Sequence, residues 1–144
     1  MSSSFSSLSV LLKSRKLRQV AMPADGNCFY RAVAAAYHGD QDMHHMLRRA
    51  LMDYILEEKS QFQALFESPR SFTGTVVANR RAGVWNSDLA DLVPAAIATY
   101  LGARVEVYSV QKDESVKRYV FGSEGGGERI RILHHDNHYD LLTR

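Results

Sequence analysis

The stretch Pro23-Ala24-Asp25-Gly26-Asn27-Cys28-Phe29-Tyr30-Arg31 carries the single cysteine of the chain, set between a turn signal and the alanine-rich run Ala32-Val33-Ala34-Ala35-Ala36. Asn27 is placed to cap a helix running from Cys28 through Tyr37, and His38-Gly39 supplies its stop. The cysteine then lies in the first turn, where unpaired N–H groups and the positive end of the helix dipole stabilise a thiolate and lower its pKa. The Asp25-Gly26 turn lets backbone amides converge on one spot, as an oxyanion hole requires. Against this stands the frequency with which free cysteine fills cores as a small apolar side chain. Local chemistry leaves both readings open.

A cysteine nucleophile needs a base. His38 closes the first helix, and His44 and His45 open the second and are predicted to face solvent. The run His134-His135-Asp136-Asn137-His138-Tyr139-Asp140 is richer. Residues two apart on a strand share a face, so His138 and Asp140 lie side by side, with the carboxylate placed to accept from imidazole Nδ1–H. Nε2 would then be free to take the thiol proton. Tyr139 and Leu141 would point the opposite way, into the core. A solvated strand face competes with this reading, as does a metal site drawn from His134, His135, His138 and Asp136. The metal reading lacks a second cluster and a fixed ligand spacing, so no metal and no other cofactor is expected.

Working outward, 144 residues with 45% hydrophobic composition can bury the core of one ordinary domain. A formal charge of +2 gives no argument for a nucleic-acid partner. One cysteine excludes an internal disulfide, which suits a reducing cytosol, and no apolar run approaches the roughly 18 residues of a membrane span. Before Asp25 the chain has no acidic residue but carries Lys13, Arg15, Lys16 and Arg18 after a serine-rich start. Residues 1–18 therefore read as a basic N-terminal segment, either flexible or a delivery address, ahead of a domain over 19–144.

Helical spacing recurs from about Asp42, through Met43, Met46, Leu47, Ala50, Leu51, Tyr54 and Ile55. A shorter helix is predicted around Phe62 to Phe66, and Arg70 to Arg81 gives no firm signal. Ser87 can cap a helix through Leu89, Leu92, Ala96, Ile97 and Tyr100 that Gly102 ends, with a kink or a division into two short helices predicted at Pro94. Beyond Gly102 the period becomes two: Arg104 to Val110 and Ser115 to Phe121 form a hairpin, and Arg129 to Leu133 and His138 to Leu142 are two further strands joined through Asp136-Asn137. Helices first and a small, mostly antiparallel sheet second make the fold class α+β.

Asp25-Gly26-Asn27-Cys28-Phe29-Tyr30-Arg31-Ala32, followed more than a hundred residues later by Asn137-His138-Tyr139-Asp140, resembles the ovarian tumour (OTU) family of cysteine proteases. Gly83-Val84-Trp85, with the helix and the strand Val105-Glu106-Val107-Tyr108 after it, is similar to a third family segment; Asn86 departs from the glycine usual there. The resemblance implies a papain-like α+β fold and cleavage of the isopeptide or peptide bond after the C-terminal glycine of ubiquitin, polyubiquitin or a ubiquitin-like protein. It implies Cys28 as nucleophile, His138 as general base, Asp140 as orienting acid and Asp25 in a supporting role. The backbone amides of Asp25, Asn27 and Cys28 would form the oxyanion hole, and Trp85 would pack the core. A monomer in the cytoplasm is expected, or in a host cytosol if this is a viral protein or bacterial effector, since compact versions resembling it occur there. The alternatives are a self-processing or toxin protease with another substrate, and a non-catalytic ubiquitin-binding module.

Overall fold

The computed structural model describes residues 7–62, 64, 68–81, 83, 92–122 and 127–144. Its elements run α1 (Ser7–Arg15), β1 (Arg18–Val20), α2 (Cys28–His38), a 3-10 turn (Gln41–Met43), α3 (His44–Glu57), α4 (Lys59–Phe62), α5 (Pro69–Ala78), α6 (Val93–Leu101), β2 (Arg104–Val110), β3 (Val116–Phe121), β4 (Arg129–His135) and β5 (His138–Thr143). The strands form one sheet in the order β1-β5-β4-β2-β3, antiparallel except for the parallel neighbours β2 and β4. This is the expected α+β architecture. Among the described residues, no helix is long and apolar enough to cross a membrane.

The main core lies between the helices and one face of the sheet. Phe29 and Val33 of α2, Leu51 and Ile55 of α3 and Ile97 of α6 meet Val105, Ile130 and Ile132, all fully buried. Each such side chain contributes about 1.5–3 kcal/mol through burial. Helix α2 rests on β4 and β5, which sets Cys28 against the strand that carries His138. Tyr139 reaches into this core from β5, its ring edge-on to Phe29 at 5.2 Å.

The opposite face has its own small cluster of Leu17, Tyr108, Leu133 and Leu142, against which Leu8, Leu11 and Leu12 of α1 pack. Nearby, Glu106 is buried and meets Arg104 at 3.0 Å, Arg118 at 3.1 Å and Arg131 at 3.4 Å. Burial alone would raise its carboxyl, but the Arg118 and Arg131 charges bring it below the usual range. Glu106 and Arg131 are register partners, so the ion cluster ties β2 to β4 where the pairing is parallel.

Several expectations change. Within the basic N-terminal segment, α1 sets half-buried Leu8, Leu11 and Leu12 beside buried Leu17 on the sheet, and β1 begins at Arg18 and pairs with β5. Arg70 to Arg81 proves largely helical, because Ser68 caps α5 through its hydroxyl to the Ser71 N–H at 3.0 Å and Pro69 occupies the first turn. Pro94 falls in the first turn of α6, which begins at Val93, where its missing N–H costs nothing; the stretch before Leu92, on which a kink or a second short helix depends, lies outside the described residues. His44 is buried rather than facing solvent, and Met46 is exposed. Trp85, Ser87, Leu89 and part of the Phe62–Phe66 prediction lie outside the described residues.

Candidate active site

Cys28 opens α2 and His138 opens β5, and the two line one cleft of about 210 Å³ with Ala24, Gly26, Asn137 and Tyr139. The two-residue loop Asp136-Asn137 joins β4 to β5 with φ values of 49° and 59°, the left-handed pair a tight hairpin turn demands. That turn delivers His138 to the mouth of the cleft. Across it, the Tyr139 backbone N–H donates to Cys28 Sγ at 3.4 Å, which ties the start of α2 to β5.

Asp140 lies behind His138 on the same strand face, as expected, but is bound on all sides. His138 Nε2 stands 2.7 Å from Oδ1, which also accepts from the Met22 N–H at 2.8 Å. Oδ2 accepts from Gln19 Nε2 at 2.8 Å and lies 3.0 Å from His135 Nε2. Burial of this carboxyl would raise its pKa, yet the hydrogen bonds from His135, Met22, Gln19 and His138 outweigh it and hold the group at about 2. An ionised carboxylate only accepts, so both imidazoles carry their proton on Nε2. This reverses the expected tautomer: Nε2 of His138 faces Asp140, and Nδ1 is left for the thiol.

The thiol also behaves differently from the sequence expectation. Burial raises the Cys28 pKa above its ordinary value, and the N–H groups of Tyr139, Phe29 and Cys28 offset this only in part. Burial thus works against the thiolate that the helix start favours. The helix start acts on the anion once it forms.

The loop before Cys28 is braced from several directions. Asp25 accepts from the Asn27 N–H at 3.0 Å and pairs with Arg31 at 2.7 Å. Burial would raise the Asp25 carboxyl, but the bonds from Arg31 and Asn27 bring it to about 2. The Asn27 amide is thus committed to Asp25, which sets it apart from the expected oxyanion donors and leaves the Asp25 and Cys28 amides as candidates. Asn27 does not cap the helix either: its Oδ1 accepts from the Gly83 N–H and from Arg48. A side-chain cap would have consumed an amide of the first turn.

Gly26 sits at φ 79°, and a Cβ there would collide with the Gly83 carbonyl oxygen. Gly26→Ala is therefore expected to destabilise the fold by about 1–3 kcal/mol in denaturant unfolding. No loss in unfolding free energy would show that the loop can move aside.

Gln19 and His135 were missed as partners of Asp140. For Gln19 the sequence holds no signal, because its contact depends on the β1–β5 register. His135 had one: it is three residues before His138, and a two-residue hairpin loop makes the two cross-strand partners. His135, His138 and Asp140 also place three donor atoms within 4.8 Å, but the carboxylate is already satisfied by protons on both rings.

A lone thiol at a helix start, facing a histidine and a buried carboxylate on a neighbouring strand of an α+β domain, defines the papain-like class of cysteine protease folds. The comparisons narrow this: the pattern of the OTU family, described as OTU-like cysteine protease, matches residues 23–139, and the chain belongs to that family. It is 31% identical over 123 residues to OTU domain-containing protein 5-A of Danio rerio, covering 85% of this chain and 21% of that protein. It is 29% identical over 123 residues to OVARIAN TUMOR DOMAIN-containing deubiquitinating enzyme 6 of Arabidopsis thaliana, covering 85% of this chain and 23% of that one. The chain thus spans under a quarter of the length of these two relatives. A solved ovarian tumour domain in complex with ubiquitin shares the fold at a TM-score of 0.73 and 20% identity, over 88% of this chain and 69% of that one.

Proposed function

We propose that the chain is a cysteine protease cleaving the isopeptide or peptide bond after the C-terminal glycine of ubiquitin or a ubiquitin-like protein. The observation that carries this reading is the shared cleft of Cys28 and His138, with Asp140 held at 2.7 Å behind the imidazole. Family membership supports the chemistry. The name of the plant relative, a deubiquitinating enzyme, and the ubiquitin-bound fold neighbour support the substrate.

In this mechanism His138 Nδ1 takes the Cys28 proton as the sulfur attacks the glycine carbonyl carbon. The resulting imidazolium is stabilised by the Asp140 carboxylate, and the oxyanion is met by the Cys28 N–H at the start of α2. The C–N bond breaks as Nδ1–H passes to the leaving amine, giving an acyl-thioester. A water then gives a proton to Nδ1 and attacks the thioester carbonyl, and that proton returns to sulfur as the acid is released. Asp25 acts indirectly, holding the Asn27 amide and Arg31. The cleft is small, at about 210 Å³, which suits a tail without side chains such as Gly-Gly.

The experiment is hydrolysis of a fluorogenic amide at the ubiquitin C-terminus, followed by a panel of diubiquitins. Release of the fluorophore and of monoubiquitin is the expected result. A protein that is folded, reduced and inert to all of them does not have this substrate.

A further inference from the structure

Arg48 is among the largest side chains sealed inside this protein, at 1% exposure, and it lies under the loop that leads into Cys28. Its Nη2 donates to the Gly26 carbonyl at 2.9 Å and to Asn27 Oδ1 at 3.2 Å, and its Nη1 donates to the Asn79 carbonyl just after α5 at 3.0 Å. The guanidinium carbon stands 4.3 Å from the centre of the Tyr30 ring. One rigid fork thus joins α3, α5 and the catalytic loop, which a point charge on a flexible stem could not do.

The geometry of the bonds says what is being held. The Gly26-Asn27 peptide is planar, with its carbonyl and amide pointing opposite ways. Arg48 holds the carbonyl end and Asp25 holds the amide end. In the next peptide the Asn27 carbonyl accepts from the Arg31 N–H at 2.8 Å, so it points along α2. The Cys28 N–H must then point back out of the helix start, towards the cleft. Its aim depends on the plane before it and on the Asn27 side chain, and Arg48 touches both. Packing alone does not call for arginine here, because an apolar side chain of similar volume would fill the space without burying a charge.

We propose that Arg48 is a positioning residue for the reaction: its guanidinium fixes the Gly26-Asn27 peptide and the Asn27 side chain, and so aims the Cys28 amide at the oxyanion. This rests on the cysteine protease reading above. It separates two properties that a general structural role would move together, because alkylation of Cys28 by iodoacetamide uses the sulfur but builds no oxyanion.

The test compares wild type with Arg48→Lys and Arg48→Met in three measurements: turnover of the ubiquitin C-terminal amide, alkylation of Cys28, and backbone amide exchange at Asn27. We expect kcat to fall about 100-fold in both variants, the loss associated with a misplaced oxyanion donor, with KM within about threefold in both and the alkylation rate constant within about threefold in Arg48→Lys, which keeps the charge that Cys28 feels. Amide exchange at Asn27, whose N–H is held by Asp25, should quicken about tenfold or more. Arg48→Lys keeps the buried charge and carries the comparison if Arg48→Met does not fold. A full rate in Arg48→Lys, or alkylation falling in step with kcat, overturns the proposal. If wild type itself leaves the ubiquitin amide intact, the substrate reading fails alone. The exchange measurement still decides Arg48, and unchanged exchange in folded Arg48→Lys overturns its role.

Discussion

Cys28→Ala should reduce hydrolysis of a ubiquitin C-terminal amide by about 10⁴-fold or more while leaving the fold in place. The size follows from the mechanism. Without the sulfur there is no acyl-enzyme, and only binding and the oxyanion site remain to help water. The fold survives because Cys28 contributes one small side chain to the core and accepts one weak bond, from the Tyr139 N–H at 3.4 Å. Circular dichroism and unfolding of the variant should match wild type to within about 2 kcal/mol. Residual turnover above about one per cent of wild type would mean another group performs the attack. Alkylation adds a second arm: iodoacetamide should label one residue, with a rate that rises with pH beyond neutrality, because burial raises the thiol above its ordinary pKa.

The second large effect belongs to Asp140. Asp140→Ala removes the acceptor for His138, His135, Gln19 and the Met22 N–H together. Loss of the group that orients the imidazole is worth about 10⁴-fold in kcat. Stranding buried donors should cost about 3 kcal/mol of stability as well. Asp140→Asn should be milder on both counts, since its carbonyl can still accept from His138 while the other imidazole can switch tautomer to face the amide. The carboxyl also leaves a signature in pH. Its folded pKa of about 2 lies below the ordinary value of about 3.9, so its stabilisation is complete above that value and is lost as pH falls through 2. The stake is about 2.5 kcal/mol. Wild type should lose stability more steeply than Asp140→Asn between pH 5 and 2. Parallel curves would mean that the carboxylate is not held as described. Asp25 is depressed too and contributes to both curves alike.

The three residues of the proposed triad were legible because each depends on local sequence. A turn, a helix start and a strand of period two place Cys28, His138 and Asp140, and the alternation correctly sends Tyr139 and Leu141 inward. What stayed hidden depends on contacts across the chain. Strand β1 has only three residues, all exposed, and no alternation to read, so Gln19 could not be seen as a partner of a carboxylate 121 positions later. Which imidazole nitrogen faces Asp140 is set by ring orientation, which spacing does not encode. The thiol's direction was misjudged because the helix start was visible in sequence and the burial around it was not.

Helix α3 gives the most instructive case. Reading Met43, Met46, Leu47, Ala50, Leu51, Tyr54 and Ile55 as its inner face finds Leu47, Leu51 and Ile55 but sets the stripe off centre, since the buried set is His44, Leu47, Arg48, Leu51, Met52 and Ile55. That set also follows i, i+3, i+4 spacing, but it includes a histidine and an arginine, and the apolar template passes over both. A charged residue recurring on a core face was the available signal for Arg48. In α5 the obstacle was composition. Thr73, Gly74, Thr75, Val76 and Val77 are poor helix formers, and tertiary packing of Phe72 and Val76 overrides them.

The most direct measurement is reaction of the reduced protein with ubiquitin carrying a C-terminal electrophile, followed by mass spectrometry of the digested adduct. The expected result is one ubiquitin per chain, joined at Cys28, absent from Cys28→Ala and slowed in Asp140→Ala. A folded, alkylatable Cys28 that gives no adduct, or an adduct that persists in Cys28→Ala, would contradict the assignment of this cleft to ubiquitin cleavage.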